Sequence, residues 1–111
     1  MKLITKAIET KLRKNYEANL KSEGSQDFKP VLKLFTAGAG ATWLISEMSP
    51  DGILFGLCDT GQGFPELGYV SLSELEQLPR RFLLERDAWF SAEKTLSEYA
   101  EEARAHRRIV A

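Results

Sequence analysis

The chain has 111 residues, 43% hydrophobic and 28% charged, with 15 Lys/Arg against 16 Asp/Glu and a net charge of −1. That length fits one domain, taken as residues 1–111, large enough to bury a core without staples. The charge balance excludes a uniformly basic nucleic-acid protein, and no window approaches the roughly 18 apolar residues of a membrane-spanning helix.

Charge and thiol content sharpen the picture. Residues 1–33 carry eight Lys/Arg and four Asp/Glu, residues 34–78 none and six, and residues 79–111 seven and six. A base-free, apolar middle between charged flanks is the pattern of a sheet core with helices laid over it. The single cysteine, Cys58, has no internal disulfide partner, which suits a reducing compartment. The first residues lack the apolar run of a signal peptide, so the protein reads as cytoplasmic.

In chain order, Ile4, Ala7, Ile8 and Leu12 follow helical spacing behind Thr5 as N-cap, giving a helix from Thr5 to Tyr16 that fades toward Lys21. Pro30 opens a strand over Val31–Thr36. Ala37-Gly38-Ala39-Gly40 lacks the Lys-Ser/Thr ending of a phosphate-binding loop and reads as a hairpin connection. Thr42–Met48 is a second strand, with Thr42, Leu44 and Ser46 alternating against Trp43, Ile45 and Glu47. Ser49-Pro50-Asp51-Gly52 is a turn by its chemistry, and Ile53–Cys58 a third strand. After a glycine-rich loop comes a short fourth strand, Leu67–Val70. Overlapping Ser-x-x-Glu boxes at Ser71 and Ser73 start a helix that Pro79 ends. The stretch from Phe82 to Phe90 holds a fifth strand. Thr95 opens a last helix whose apolar face is Leu96, Tyr99, Ala100 and Ala103. The predicted class is α+β: an antiparallel meander of four to five strands with N-terminal, central and C-terminal helices packed on one face.

The strings Lys33-Leu34-Phe35-Thr36, Thr42-Trp43-Leu44-Ile45-Ser46-Glu47 and, most specific, Glu66-Leu67-Gly68-Tyr69-Val70-Ser71-Leu72-Ser73-Glu74-Leu75-Glu76 carry a resemblance to the bacterial domain-of-unknown-function family number 2958. The resemblance runs from Leu3 to about residue 98, with the arginine-rich end of the last helix, residues 99–111, beyond the family core. It implies a small protein of the kind carried on plasmids and other mobile elements. It implies no activity, substrate or catalytic residue.

Three constellations are candidates for function. Glu47, Glu66 and Asp87, with Asp59 and Glu85 nearby in sequence, would form an acid/base or hard-cation site only if their oxygens converge; solvated charge is the plainer reading. Arg86, between Glu85 and Asp87, would clamp Glu47 or Glu66 if it points inward and contact a ligand or partner if outward. Among the aromatics, Trp43, Tyr69, Trp89 and Phe90 are candidates for a ligand or partner surface, with core the plainer reading for Trp43 because its strand holds no base. A nucleic-acid surface would use Lys6, Lys11, Arg13, Lys14, Arg80, Arg81, Arg107 and Arg108. His106 and Cys58 fall short of the four N/S ligands of a zinc site, so no metal or cofactor is expected. The reading that results is a non-enzymatic binding or accessory protein. A nucleic-acid-associated module and a carboxylate-based or metal-dependent hydrolase are the alternatives. Self-association through an open sheet edge or the Trp89–Phe90 surface is compatible with each.

Overall fold

The computed structural model describes residues 3–111; Met1 and Lys2, the first two residues of the single-domain span, lie outside the described residues. Helix α1 (Lys6–Lys21) begins where the Thr5 side chain accepts from the Ile8 N–H at 3.2 Å. It runs past Tyr16 because its inward stripe continues in polar form. Asn15 and Asn19 lie three and seven residues beyond the buried Leu12, on the same helix face.

The middle of the chain forms the expected meander: β1 (Leu32–Thr36), β2 (Thr42–Met48), β3 (Ile53–Asp59) and β4 (Glu66–Ser71). A short β5 (Leu84–Arg86) pairs with the free side of β1, so the sheet order is β4-β3-β2-β1-β5, antiparallel throughout. Between β4 and β5 lie α2 (Leu72–Glu76), capped by the Ser71 hydroxyl on the Glu74 N–H, and a 3-10 turn at Arg80–Phe82. Helix α3 (Leu96–His106) opens on the Thr95/Glu98 capping box read from sequence. The Cα radius of gyration, 13.2 Å, matches the roughly 13 Å of one compact unit of this length.

Sequence patterning placed the helices on one face of the sheet. Instead they cover both. Leu12 of α1 and Leu75 of α2 pack with Leu32, Leu34, Ile45 and Leu54 on one face. On the other, Leu96, Tyr99, Ala100 and Ala103 of α3 pack over Leu44 and Leu57. The reason lies in β2 and β3, which are apolar on both sides and therefore need cover on both. At eleven residues α3 is too short to cover the whole sheet, and the α3 face stays open along β4.

The alternation in β2 also breaks. The register runs Leu44↔Leu57 and Ile45↔Gly56, then jumps to Glu47↔Phe55, leaving Ser46 as the extra residue of a β-bulge. One inserted residue reverses every later side chain. Glu47 therefore leaves the Trp43/Ile45 face and joins Leu44 and Phe55 on the α3 face.

Candidate functional site

The bulge and the short α3 together build a groove. Glu47, Phe55 and Tyr69 are register neighbours, forming a row across β2, β3 and β4 on the α3 face. Tyr69 is 75% exposed and Leu67 beside it is also exposed. The Phe55 and Tyr69 rings lie 5.1 Å apart, tilted by 51°, within the range of favourable aromatic contact. The loop after α1 and the first turn of α3 close the other side, enclosing about 460 Å³.

At its floor, Glu47 is only 7% exposed. Its Oε2 accepts from Asn19 Nδ2 at 2.7 Å, and Asn19 Oδ1 in turn accepts from the Gln26 N–H at 3.0 Å. Asn15 Nδ2 donates to the Ser46 carbonyl at 3.0 Å, satisfying the oxygen of the bulge residue. Burial pushes the Glu47 carboxyl above the ordinary glutamate range, and the Asn19 hydrogen bond offsets only part of that. Asp27 stands on the rim with the opposite balance. Its slight burial acts to raise it, but hydrogen bonds from the Ser97 hydroxyl (2.5 Å) and amide (3.1 Å), with Thr95, hold it below the usual range. The groove thus has an aromatic wall and a buried acid, held by Asn19, at its floor.

A second cavity, about 480 Å³, crosses the α1 face beneath α2 and is lined by Trp43, Cys58, Val70, Glu74, Leu75 and Leu78. Burial pushes the Cys58 thiol above its ordinary value, which disfavours the nucleophilic thiolate there. Tyr69 contributes to the walls of both cavities.

The sequence candidates divide accordingly. Glu47 and Tyr69 come together in the groove. Glu66 and Asp87 do not join Glu47. Glu66 starts β4, at one edge of the sheet, and Asp87 follows β5, at the other, with four strand spacings, roughly 19 Å, between those edges. Among the described residues, no three His, Cys, Asp or Glu side chains gather closely enough to hold a metal ion. Asp59, buried, accepts from the Gly61 N–H (2.9 Å) and the Ile109 N–H (3.0 Å) and so ties down the chain after α3. Arg86 points inward, but its partner is neither Glu47 nor Glu66: Nη1 donates to the Leu3 carbonyl at 2.7 Å. Asp87 Oδ2 lies 3.8 Å from Lys33 Nζ, and its Oδ1 accepts from the Trp89 N–H. Trp43 is core. The Trp89–Phe90 pair splits: Trp89 is 93% exposed, whereas Phe90 packs against the α3 cluster.

The basic candidates lie on different sides. Lys6, Lys11 and Lys14 are exposed on α1, over one sheet face, while Arg107 and Arg108 follow α3, over the other. Arg13 is engaged within the chain, donating to the Pro50 carbonyl at 3.3 Å and lying 3.7 Å from Glu9. Arg80 and Arg81 occupy the 3-10 turn, where the Arg81 guanidinium sits 5.0 Å from the Phe82 ring centroid.

Sequence reasoning missed Asn15 and Asn19, which fix the bulge and the acid. The signal was present: two asparagines four residues apart, continuing the stripe of Leu12 in a helix otherwise rich in charge. Asp27 and Ser97 were missed for a different reason, since they meet across 70 residues of chain.

The chain belongs to the family described as Protein of unknown function (DUF2958), which it matches over residues 3–110. The match extends through the arginine-rich end of α3, which the sequence resemblance had left outside the family core. Comparison with curated proteins gives no match, and comparison with solved structures gives none.

Proposed function

We propose that this family member is a non-enzymatic binding protein, an accessory factor of bacterial mobile elements working in the cytoplasm. Its binding surface is the groove along β4. The observation that carries the reading is the Glu47–Phe55–Tyr69 row, in which an exposed aromatic wall stands over an acid held by Asn19. A 75%-exposed tyrosine packed on a half-buried phenylalanine gains by being covered, which is what a binding surface needs. The unpaired Cys58 supports the cytoplasmic assignment, and the mobile-element assignment is what the family resemblance implies.

The test is an NMR ligand screen in which ¹H–¹⁵N shifts are followed while peptides, nucleotides and short DNA and RNA oligomers are added in turn. The reading expects saturable shifts centred on Glu47, Phe55, Leu67 and Tyr69, weakened by Tyr69→Ala. Turnover of ester, amide or phosphate-ester reporters that Glu47→Gln abolishes would replace it with an enzyme. Salt-sensitive nucleic-acid binding mapped to the arginine pairs would replace it with a nucleic-acid module.

A further inference from the structure

The two edges of the sheet are built differently. β5 is three residues long, carries Glu85 and Arg86, and is fastened to the Leu3 carbonyl by Arg86. It is a short, charged and occupied edge, of the kind that resists further pairing. β4 has six residues, Glu66–Ser71, with no lysine, arginine or proline among them. Its hydrogen-bonding direction follows from the register. Leu72 N–H donates to the Gly52 carbonyl, so the alternate pairs Val70↔Leu54, Gly68↔Gly56 and Glu66↔Cys58 face β3. The N–H and C=O groups of Leu67 and Tyr69 therefore point out of the sheet.

Each side of this edge has a cavity. On the α3 face, Leu67 and Tyr69 wall the groove over Glu47. On the α1 face, Gly68 has no side chain, and a Cβ built there meets nothing within 4 Å, leaving open space beside Val70 and the second cavity. Glu66 stands two residues before Gly68 on the same side of β4, and Glu74 lines the second cavity; both are exposed, in a stretch of chain that holds no lysine or arginine.

We propose that β4 docks an extended peptide segment of alternating apolar and basic residues, added as a sixth, antiparallel strand. The proposal rests on the binding role given to the β4 groove and names its ligand. The peptide backbone takes up the outward groups of Leu67 and Tyr69. Apolar residues opposite those two lie on the α3 face and cover the exposed leucine and tyrosine. The residue opposite Gly68 lies on the other face, where a lysine or arginine lays its aliphatic stem over the gap and sets its charge between Glu66 and Glu74. Charge selects this occupant over a second copy of the chain. Pairing two β4 strands would bring two sets of Glu66 and Glu74 to one seam with no base to offset them.

Fluorescence anisotropy with a labelled seven-residue peptide alternating valine and lysine tests this directly. The expected result is saturable binding, at least about tenfold tighter than for the same peptide with glutamate in place of lysine. N-methylation of the valines, which face Leu67 and Tyr69, removes binding, whereas N-methylation of the lysines leaves it. Gly68→Leu fills open space, so it melts like the parent yet weakens the lysine peptide about tenfold or more. Equal affinity for the acidic peptide, or indifference to valine N-methylation, overturns the proposal. So does a dimer by light scattering that Tyr69→Pro dissociates and Tyr69→Ala leaves intact, because that assigns the backbone edge to a second copy; the N–H that proline removes at 69 is an outward one, not bonded to β3. If the lysine peptide fails while another ligand class shifts Glu47, Phe55 and Tyr69, the sixth strand is wrong and the groove reading stands. Turnover lost in Glu47→Gln removes the groove reading itself.

Discussion

Replacing Gly56 with alanine should cripple the fold, whereas the same change at Gly68, its register neighbour, should be silent. The difference is geometric. A Cβ at position 56 would lie 2.0 Å from the Leu44 carbonyl oxygen, 2.8 Å from Ile45 Cα and 2.9 Å from the Leu44 carbonyl carbon. All three are backbone atoms, so no rotamer change relieves the contact. Reaching an ordinary 3.4 Å separation requires β2 and β3 to part by 3.4 − 2.0 = 1.4 Å at their bulge, and the neighbouring ladder bonds do not survive that displacement. The cost is about 3 kcal/mol or more, out of a total that for such domains is roughly 5–15 kcal/mol. For a chain this size it lowers Tm by on the order of 12 °C. Gly68→Ala meets nothing within 4 Å, and by restricting the unfolded chain it should be neutral or stabilising by up to about 1 kcal/mol. Urea melts followed by fluorescence of the buried Trp43, with circular dichroism in parallel, measure both. A Gly56→Ala unfolding free energy within about 1 kcal/mol of the parent would refute the close approach of the strands, and with it the bulge that turns Glu47 into the groove.

Other consequences follow from the same geometry. Glu47 holds its proton more tightly folded than unfolded, so its contribution is intact at low pH and is lost as pH rises from the ordinary glutamate range through its elevated folded value. Glu47→Gln, which keeps an acceptor for Asn19, should therefore melt higher than the parent near pH 7, with the gap closing near pH 4; a parent as stable as the variant at neutral pH would contradict the burial. Asp59→Ala should free the segment after α3, seen as lost amide-exchange protection at Ile109 and a cost of roughly 1–3 kcal/mol. Trp43→Ala should cost about 3–5 kcal/mol, while Trp89→Ala, at a 93%-exposed position, should stay within about 0.5 kcal/mol of the parent, both by urea melts followed by circular dichroism.

The strands of the meander were legible because each is bounded by chemistry that permits little else: Pro30 before β1, the Ser49–Gly52 turn between β2 and β3, and Ser71 as a cap directly after β4. The last helix was legible from Thr95 and Glu98 for the same reason. Two features were not. Which face a helix covers depends on how far the chain travels between elements, and the loop from α1 to β1 and the segment from β5 to α3 carry no periodic signal of their destination. The bulge at Ser46 depends on Gly56 in the next strand and on Asn15 in a helix 31 residues away, neither of which is local to β2. The site inherits that difficulty. Glu47 and Tyr69 could be picked out as residue types, but their meeting across Phe55 required both the register and the one-residue slip. Glu66 and Asp87 looked equivalent to Glu47 in sequence and part company only because β4 and β5 occupy opposite edges.

The most direct measurement of binding along β4 is residue-resolved amide exchange, with and without the valine–lysine peptide. In the free chain Leu67 and Tyr69 should exchange rapidly while Gly68 and Val70, bonded to β3, exchange slowly. Saturating peptide should slow Leu67 and Tyr69 by about tenfold or more and leave Lys6, Lys11 and Lys14 unchanged. Leu67 and Tyr69 amides that stay fast at saturation, or that are already protected in the free monomer, would contradict the account.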